Sequence, residues 1–197
     1  SKGKPDPVLG LRRARAATAL MLALPGGAYL YQGEELGLPE VIELPDSARQ
    51  DPTWFRTNGR KYGRDGCRVP LPWEPDAPAY GFSPSGASWL PQPDDWSALS
   101  RAAQEGVPGS TLSMYENALR LRRDERLGSG SVDWLPQWAR SSAVVAFRNR
   151  DVVVVANLGR AHVTLPDGEI LLESHPTHIG SNGRPMLPPD ATAWLRA

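Results

Sequence analysis

Between Leu38 and Pro108 the sequence shows no regular hydrophobic period. That stretch constrains the fold more than any other. Connections longer than about 15 residues are usually functional or disordered. Disorder is argued against by composition: Trp54, Phe55, Tyr62, Trp73, Tyr80, Phe82, Trp89 and Trp96 are spread through it, and disordered segments are poor in aromatics. The expectation is an ordered excursion lying over a surface or cleft. The 20 Pro, 19 Gly and 7 Trp of the chain agree, favouring long structured loops over a compact helix bundle.

Periodic segments flank it. Pro7 to Leu24 reads as a helix with Leu9, Leu11, Ala16, Ala19, Leu20, Ala23 and Leu24 on its apolar surface, stopped by Pro25-Gly26-Gly27. Ala28 to Tyr31 reads as a buried strand, and Gln32-Gly33 turns out of it. Helix, tight turn and buried strand is an α/β rhythm. Ser110 to Arg126 is the clearest helix, with Ser110 or Thr111 as its cap. After Ser131 the period becomes that of strands: 132–135, 143–148, 152–158, 161–165, 169–173 and 191–196, with turn signals at Asn149-Arg150-Asp151 and Pro166-Asp167-Gly168. The expected organisation is residues 1–130 as one portion and 131–197 as a small antiparallel β-domain.

Bulk chemistry excludes some functions. Lys+Arg and Asp+Glu are both 22, so no global field favours nucleic acid or an anionic membrane. No apolar run approaches the ~20 residues of a membrane-spanning helix. Cys67 is the single cysteine, which allows no disulfide within the chain and suits a reducing compartment. The start, Ser1-Lys-Gly-Lys-Pro, is neither a signal peptide nor an initiator Met, so the chain reads as a piece of something longer.

Three constellations can carry chemistry. Glu34-Glu35 sits in a glycine-flanked turn, but adjacent extended residues point to opposite sides. A glycosidase pair must face one bond, so the simpler reading is that one Glu caps backbone N–H groups or pairs with an Arg. In "YGRDGCRVPLPW", Tyr62 to Trp73, the side chains of Arg64, Asp65 and Arg68 suit sugar hydroxyls, with Trp73 as a stacking face. An Arg–Asp pair that merely pins the loop fits equally. His175 and His178 are three apart, with Pro176 between, and a metal site needs more ligands than that; no metal or cofactor is expected. Cys67 reads as a buried or semi-buried thiol. There is no P-loop, G-x-G-x-x-G or G-x-S-x-G.

The stretches "ALPGGAYLYQGEELGLPE" and "QDPTWFRTNGRKYGRDGCRVPLPWE" together resemble the α-amylase family of glycoside hydrolases, family 13, in its α-glucosidase and oligo-1,6-glucosidase branch. "GFSPSGASWLP" and "MYENALRLRRDE" are similar to the same branch. The resemblance implies the C-terminal part of a (β/α)8 TIM barrel followed by a small antiparallel β-sandwich. Pro7–Leu24 would be the seventh barrel helix, Ala28–Tyr31 the eighth strand and Ser110–Arg126 the eighth helix. The aromatic excursion would be the loop after strand eight, at the barrel face that carries active sites.

The resemblance also implies that the catalytic Asp, Glu and Asp lie upstream of Ser1, the last in an N-H-D motif that this chain lacks. No catalytic residue is therefore expected here, and the chain alone would be inactive without the N-terminal part of the barrel. The implied substrate-side residues are Arg64, supported by Asp65 and Arg68, with Glu43 and Gln50 towards the aglycone. Pro72 stands where many relatives have Gln, which removes an amide from the site. The implied parent is a cytoplasmic retaining α-glucosidase acting on short α-glucosides. Alternatives are a sucrose- or maltose-rearranging transglucosidase, or a noncatalytic scaffold or transporter-associated relative.

Overall fold

The structure is a computed structural model that describes residues 5–181 and 183–196; Ser1 to Lys4 of the sequence reading lie outside them. In chain order the helices are α1 (Pro7–Leu22), α2 (Pro52–Arg56), α3 (Arg101–Gln104) and α4 (Thr111–Asp124). The strands are β1 (Asp133–Trp134), β2 (Val144–Asn149), β3 (Val152–Asn157), β4 (Val163–Thr164), β5 (Glu169–Glu173), β6 (His178–Ile179), β7 (Pro185–Leu187) and β8 (Ala191–Arg196). The chain packs as two compact units. One holds the chain up to Leu30 and from Met114 onward; the other runs from Tyr31 to Ser113.

The first unit is built on a five-stranded sheet in the order β1-β2-β3-β8-β5 and a three-stranded sheet in the order β4-β7-β6. All pairings are antiparallel. Strand β3 is buried along its whole length, and the alternation of side chains explains why. Val153 and Val155 face one core with Leu165, Leu187 and Leu195. Val152 and Val154 face another, with Trp194, Phe147 and residues of α1 and α4 such as Leu22 and Ala118. A strand covered on both faces is apolar, as β3 is from Val152 to Ala156; its last residue, the buried Asn157, is satisfied by donating through Nδ2 to the carbonyls of Ala161 and Leu187.

Helix α1 starts where Asp6 accepts the Leu9 N–H at 3.0 Å ahead of Pro7, the arrangement that satisfies a free helix N–H. It is anchored on β8 by two hydrogen bonds to its carbonyls. Trp194 Nε1 donates to Ala19 O at 3.0 Å and Thr192 Oγ1 to Ala16 O at 2.9 Å. Its C-terminal end is gathered by Arg122, which donates to the carbonyls of Leu22, Leu24 and Gly26.

Two features differ from the sequence reading. The expected buried strand at Ala28–Tyr31 belongs to no sheet, and Tyr29 is 92% exposed. A barrel strand is hydrogen-bonded to a neighbour on each side, and every strand among the described residues lies between 133 and 196. Strand-forming side chains without a partner strand form no ladder. Strands β6 and β7 were not expected. They are two and three residues long, and β7 begins at Pro185, too short and too proline-marked for period-2 reading.

The second unit contains no strand among its described residues. It has its own apolar core of Leu44, Val69, Leu90 and Trp96, with Leu38, Val41, Tyr80 and Leu99 packed around it. The aromatic excursion is therefore a folded loop assembly. Its polar groups are internal too: Arg49, Asp51, Asp65, Ser100 and Gln104 are buried.

Candidate functional site

Two segments of the second unit, Gln50-Asp51-Pro52 and Gly63 to Arg68, hold each other by reciprocal hydrogen bonds. Asp65 Oδ2 accepts the backbone N–H groups of Gln50 and Asp51, both at 3.0 Å. Asp51 Oδ2 in return accepts the Arg64 N–H at 3.0 Å and Arg68 Nη1 at 3.1 Å. Its Oδ1 accepts the Thr53 N–H at 2.8 Å, capping α2. Each carboxylate thus fixes the backbone of the opposite segment. Gly63 permits the approach: its φ is +74°, and a Cβ there would lie 2.5 Å from Asp51 Cγ.

These bonds set the charge state of Asp51. Hydrogen bonds from Thr53 come first, then the Arg64 N–H and the nearby Arg68 guanidinium, and together they hold its carboxyl down at about 2. The side chain is a fixed anion under any ordinary condition, serving as a brace.

Arg64 is the exposed charged residue of the assembly. Its backbone is pinned by Asp51, and its carbonyl accepts the Cys67 N–H and Sγ–H, each at 3.2 Å. The guanidinium carbon lies 5.4 Å from the Tyr31 ring centroid, within the range of a cation–π contact. Beside Tyr31 opens a cavity of about 250 Å³, lined also by Gln32, Glu34, Glu40, Cys67 and Trp96.

The structure thus brings Arg64, Asp65, Arg68 and Gln50 into one assembly. Asp65 has one carboxylate oxygen committed to backbone and Arg68 is paired with Asp51, whereas the Arg64 guanidinium is exposed, with the Cys67 thiol and the Tyr31 ring as the neighbours that raise its pKa. Gln50 also donates through Nε2 to Trp89 O at 3.2 Å. Glu43 is exposed and makes no hydrogen bond or ion pair among the described residues; nothing links it to the assembly. Glu35 Oε2 accepts the Gly33 N–H at 2.8 Å, the capping role expected of one of the paired glutamates. Pro72 is buried, and its carbonyl accepts the Arg101 N–H at 3.0 Å.

Two residues were missed by sequence reasoning. Asp51 carried a usable signal, because Asp followed by Pro is a helix-start pattern. Arg49 carried none. It is 5% exposed and donates through Nη2 to the carbonyls of Ile42 and Leu44, each at 3.0 Å. Its guanidinium carbon lies 3.9 Å from the Tyr62 ring centroid and 5.2 Å from that of Trp54. This buried cation ties the 42–44 loop to the aromatic pair that flanks the Gly63 turn.

Comparison with known proteins assigns this loop assembly and the antiparallel β-domain joined to it in sequence. Residues 6–130 match the alpha amylase catalytic domain, and residues 126–194 match a domain of unknown function, DUF3459. The chain belongs to the alpha-amylase family.

It is 37% identical over 123 residues to a probable alpha-glucosidase of Rhizobium meliloti (strain 1021), covering 62% of this chain and 22% of that protein. It is 29% identical over 164 residues to Maltase A1 of Drosophila melanogaster, covering 79% of this chain and 28% of that protein. The chain spans about a quarter of the length of these curated relatives. Among solved structures, the alpha-glucosyl transfer enzyme XgtA matches with a TM-score of 0.72 at 31% identity, over 94% of this chain and 36% of that one. A trehalulose synthase mutant matches with a TM-score of 0.76 at 22% identity, over 98% of this chain and 40% of that one, which speaks to the fold alone. The fold is that of the C-terminal part of these barrel enzymes.

Proposed function

We propose that the chain is the C-terminal portion of a cytoplasmic retaining α-glucosidase acting on short α-glucosides of the maltose and isomaltose type. In this reading residues 1–130 belong to the catalytic barrel and 131–197 to the β-domain. The carboxylates that form and hydrolyse the glucosyl-enzyme belong to sequence before residue 1, and this chain by itself is inactive. The observation that carries the reading is the braced Gln50–Asp51/Gly63–Arg68 assembly, which leaves Arg64 exposed over Tyr31. A fixed backbone with an exposed guanidinium suits hydrogen bonding to sugar hydroxyls beside an aromatic face. Asp65, Arg68 and Gln50 act by positioning it, and Glu43 remains an aglycone-side candidate from the family resemblance alone.

The likeness to XgtA favours a second reading, in which the glucosyl group passes to a sugar rather than to water. One assay separates the readings. The full polypeptide carrying this sequence is incubated with p-nitrophenyl α-glucoside and with maltose or sucrose, and products are resolved by chromatography. Free glucose as the main product supports hydrolysis; new disaccharides support transfer. Neither product would leave the noncatalytic reading. In an active parent, Arg64→Ala lowers kcat/KM roughly tenfold with the fold intact, as loss of a charged sugar contact should. Unchanged kinetics would remove Arg64 from the site.

A further inference from the structure

The small sheet carries a grouping that the glucoside reading does not use. In register, Thr164 of β4 lies opposite Met186 of β7, and Met186 lies opposite His178 of β6. Residues directly opposite across strands share a face, and His162 precedes Thr164 by two, the spacing that returns a side chain to the same face. The structure shows the result. The His162 and His178 rings meet edge to face with centroids 4.6 Å apart, and the Thr164 hydroxyl donates to Met186 Sδ at 3.1 Å. Both histidines are exposed and Met186 is half-buried. Among the described residues no three His, Cys, Asp or Glu side chains converge; this grouping is two imidazoles and a thioether.

A ring nitrogen lies about 1.1 Å from its centroid, so a metal bound at about 2.0–2.1 Å is about 3.2 Å from each centroid. Two imidazoles at adjacent corners of a square plane then have centroids about 4.5 Å apart, against about 5.2 Å for tetrahedral angles. The observed 4.6 Å, an ordinary edge-to-face spacing, keeps both imidazoles within reach of one ion, and the donor set favours copper. Copper also binds imidazole most tightly among the divalent first-row ions, and thioether sulfur suits its reduced form.

We propose that His162, His178 and Met186 form a surface site for one copper ion, with the two imidazoles as principal donors, the thioether as third, and water completing the shell. The sequence drew attention to His175 and His178 instead, three apart on one segment; the fold pairs His178 with a histidine sixteen residues earlier.

The test is titration of the purified full chain with copper(II) chloride in a non-chelating buffer, followed by calorimetry and electron paramagnetic resonance. The expected result is one equivalent bound, with hyperfine splitting from two nitrogens. His162→Ala and His178→Ala each weaken binding by on the order of 10²-fold, the loss of a chelate partner, while His175→Ala leaves it unchanged. Met186→Leu, which preserves packing, weakens copper(I) binding measured against a colorimetric copper(I) chelator. Circular dichroism confirms that the variants fold. Wild-type affinity in either histidine variant, or loss of binding in His175→Ala, overturns the site; unchanged copper(I) affinity in Met186→Leu overturns the three-donor set.

Discussion

Asp65→Ala is the most direct probe of the loop assembly. Asp65 is 3% exposed, and one of its oxygens receives two backbone N–H groups at 3.0 Å. Truncation leaves both donors without a partner. An unsatisfied buried donor costs about 1–3 kcal/mol. The Asp51 N–H is buried and carries the full penalty, whereas the Gln50 N–H is only partly buried and recovers some hydration. The sum is about 2–4 kcal/mol, a large share of what stabilises a small unit. Because the chain packs as two units, a single global melting curve mixes their transitions. Amide hydrogen exchange read residue by residue is the appropriate assay. Protection at Gln50, Asp51 and Arg64 should fall by a factor of roughly 30 or more, while amides of β3 and β8 keep theirs. Asp65→Asn, which retains an acceptor of the same shape but loses the charge, should cost about 1 kcal/mol. Unaltered protection at Gln50 and Asp51 in the alanine variant would refute the bracing argument.

Two further outcomes follow from the same physics. Asp51 has its carboxyl held at about 2 against an ordinary 3.8, so its ionised form is favoured by folding. The stability it contributes is complete above the ordinary value and is withdrawn as pH falls through the interval down to about 2; exchange measured across that interval should show loosening around α2 that Asp51→Asn abolishes. In the β-bearing unit, Trp194 is fully buried and donates to Ala19 O. Trp194→Ala should cost about 3–5 kcal/mol, seen as lost amide protection along β3 and β8, and unchanged protection there would place the main core elsewhere.

Much of the fold could be read locally because its signals are local. Asp6-Pro7 marks a helix start, and Ser110 does cap α4's first turn, accepting the Ser113 N–H at 3.1 Å. Asn149-Arg150-Asp151 turns β2 into β3, with Arg150 at φ +55°. The family resemblance supplied the barrel context. What escaped was non-local. The Asp51–Asp65 brace joins residues 14 apart in a segment without period, so no window of hydrophobicity reveals it. The sequence reading weighed an Arg–Asp pair within Arg64–Arg68; the pair that forms is Arg68 with Asp51. The Ala28–Tyr31 reading failed for the converse reason. Its residues have strand propensity, but a strand is defined by its neighbours.

The brace changes how the arginine should be understood. Arg64 is held through its backbone at both ends: its N–H by Asp51, its carbonyl by Cys67. None of those bonds engages the guanidinium, which rests over the Tyr31 ring. The rigidity is therefore located in backbone atoms, while the guanidinium is exposed beside Tyr31 and the Cys67 thiol. A ligand meeting such a group has only side-chain rotamers to order, about 0.5–1.5 kcal/mol, and no loop to close. The order of effects is then fixed. Substituting Asp51 or Asp65 should damage binding through loop order and be visible in amide exchange without ligand. Substituting Arg64 should damage binding with exchange unchanged, because its brace is backbone. A parent enzyme in which Arg64→Ala disorders the loop as much as Asp65→Ala would show that the guanidinium is structural, and the glucoside-contact role would pass to another residue of the cavity beside Tyr31.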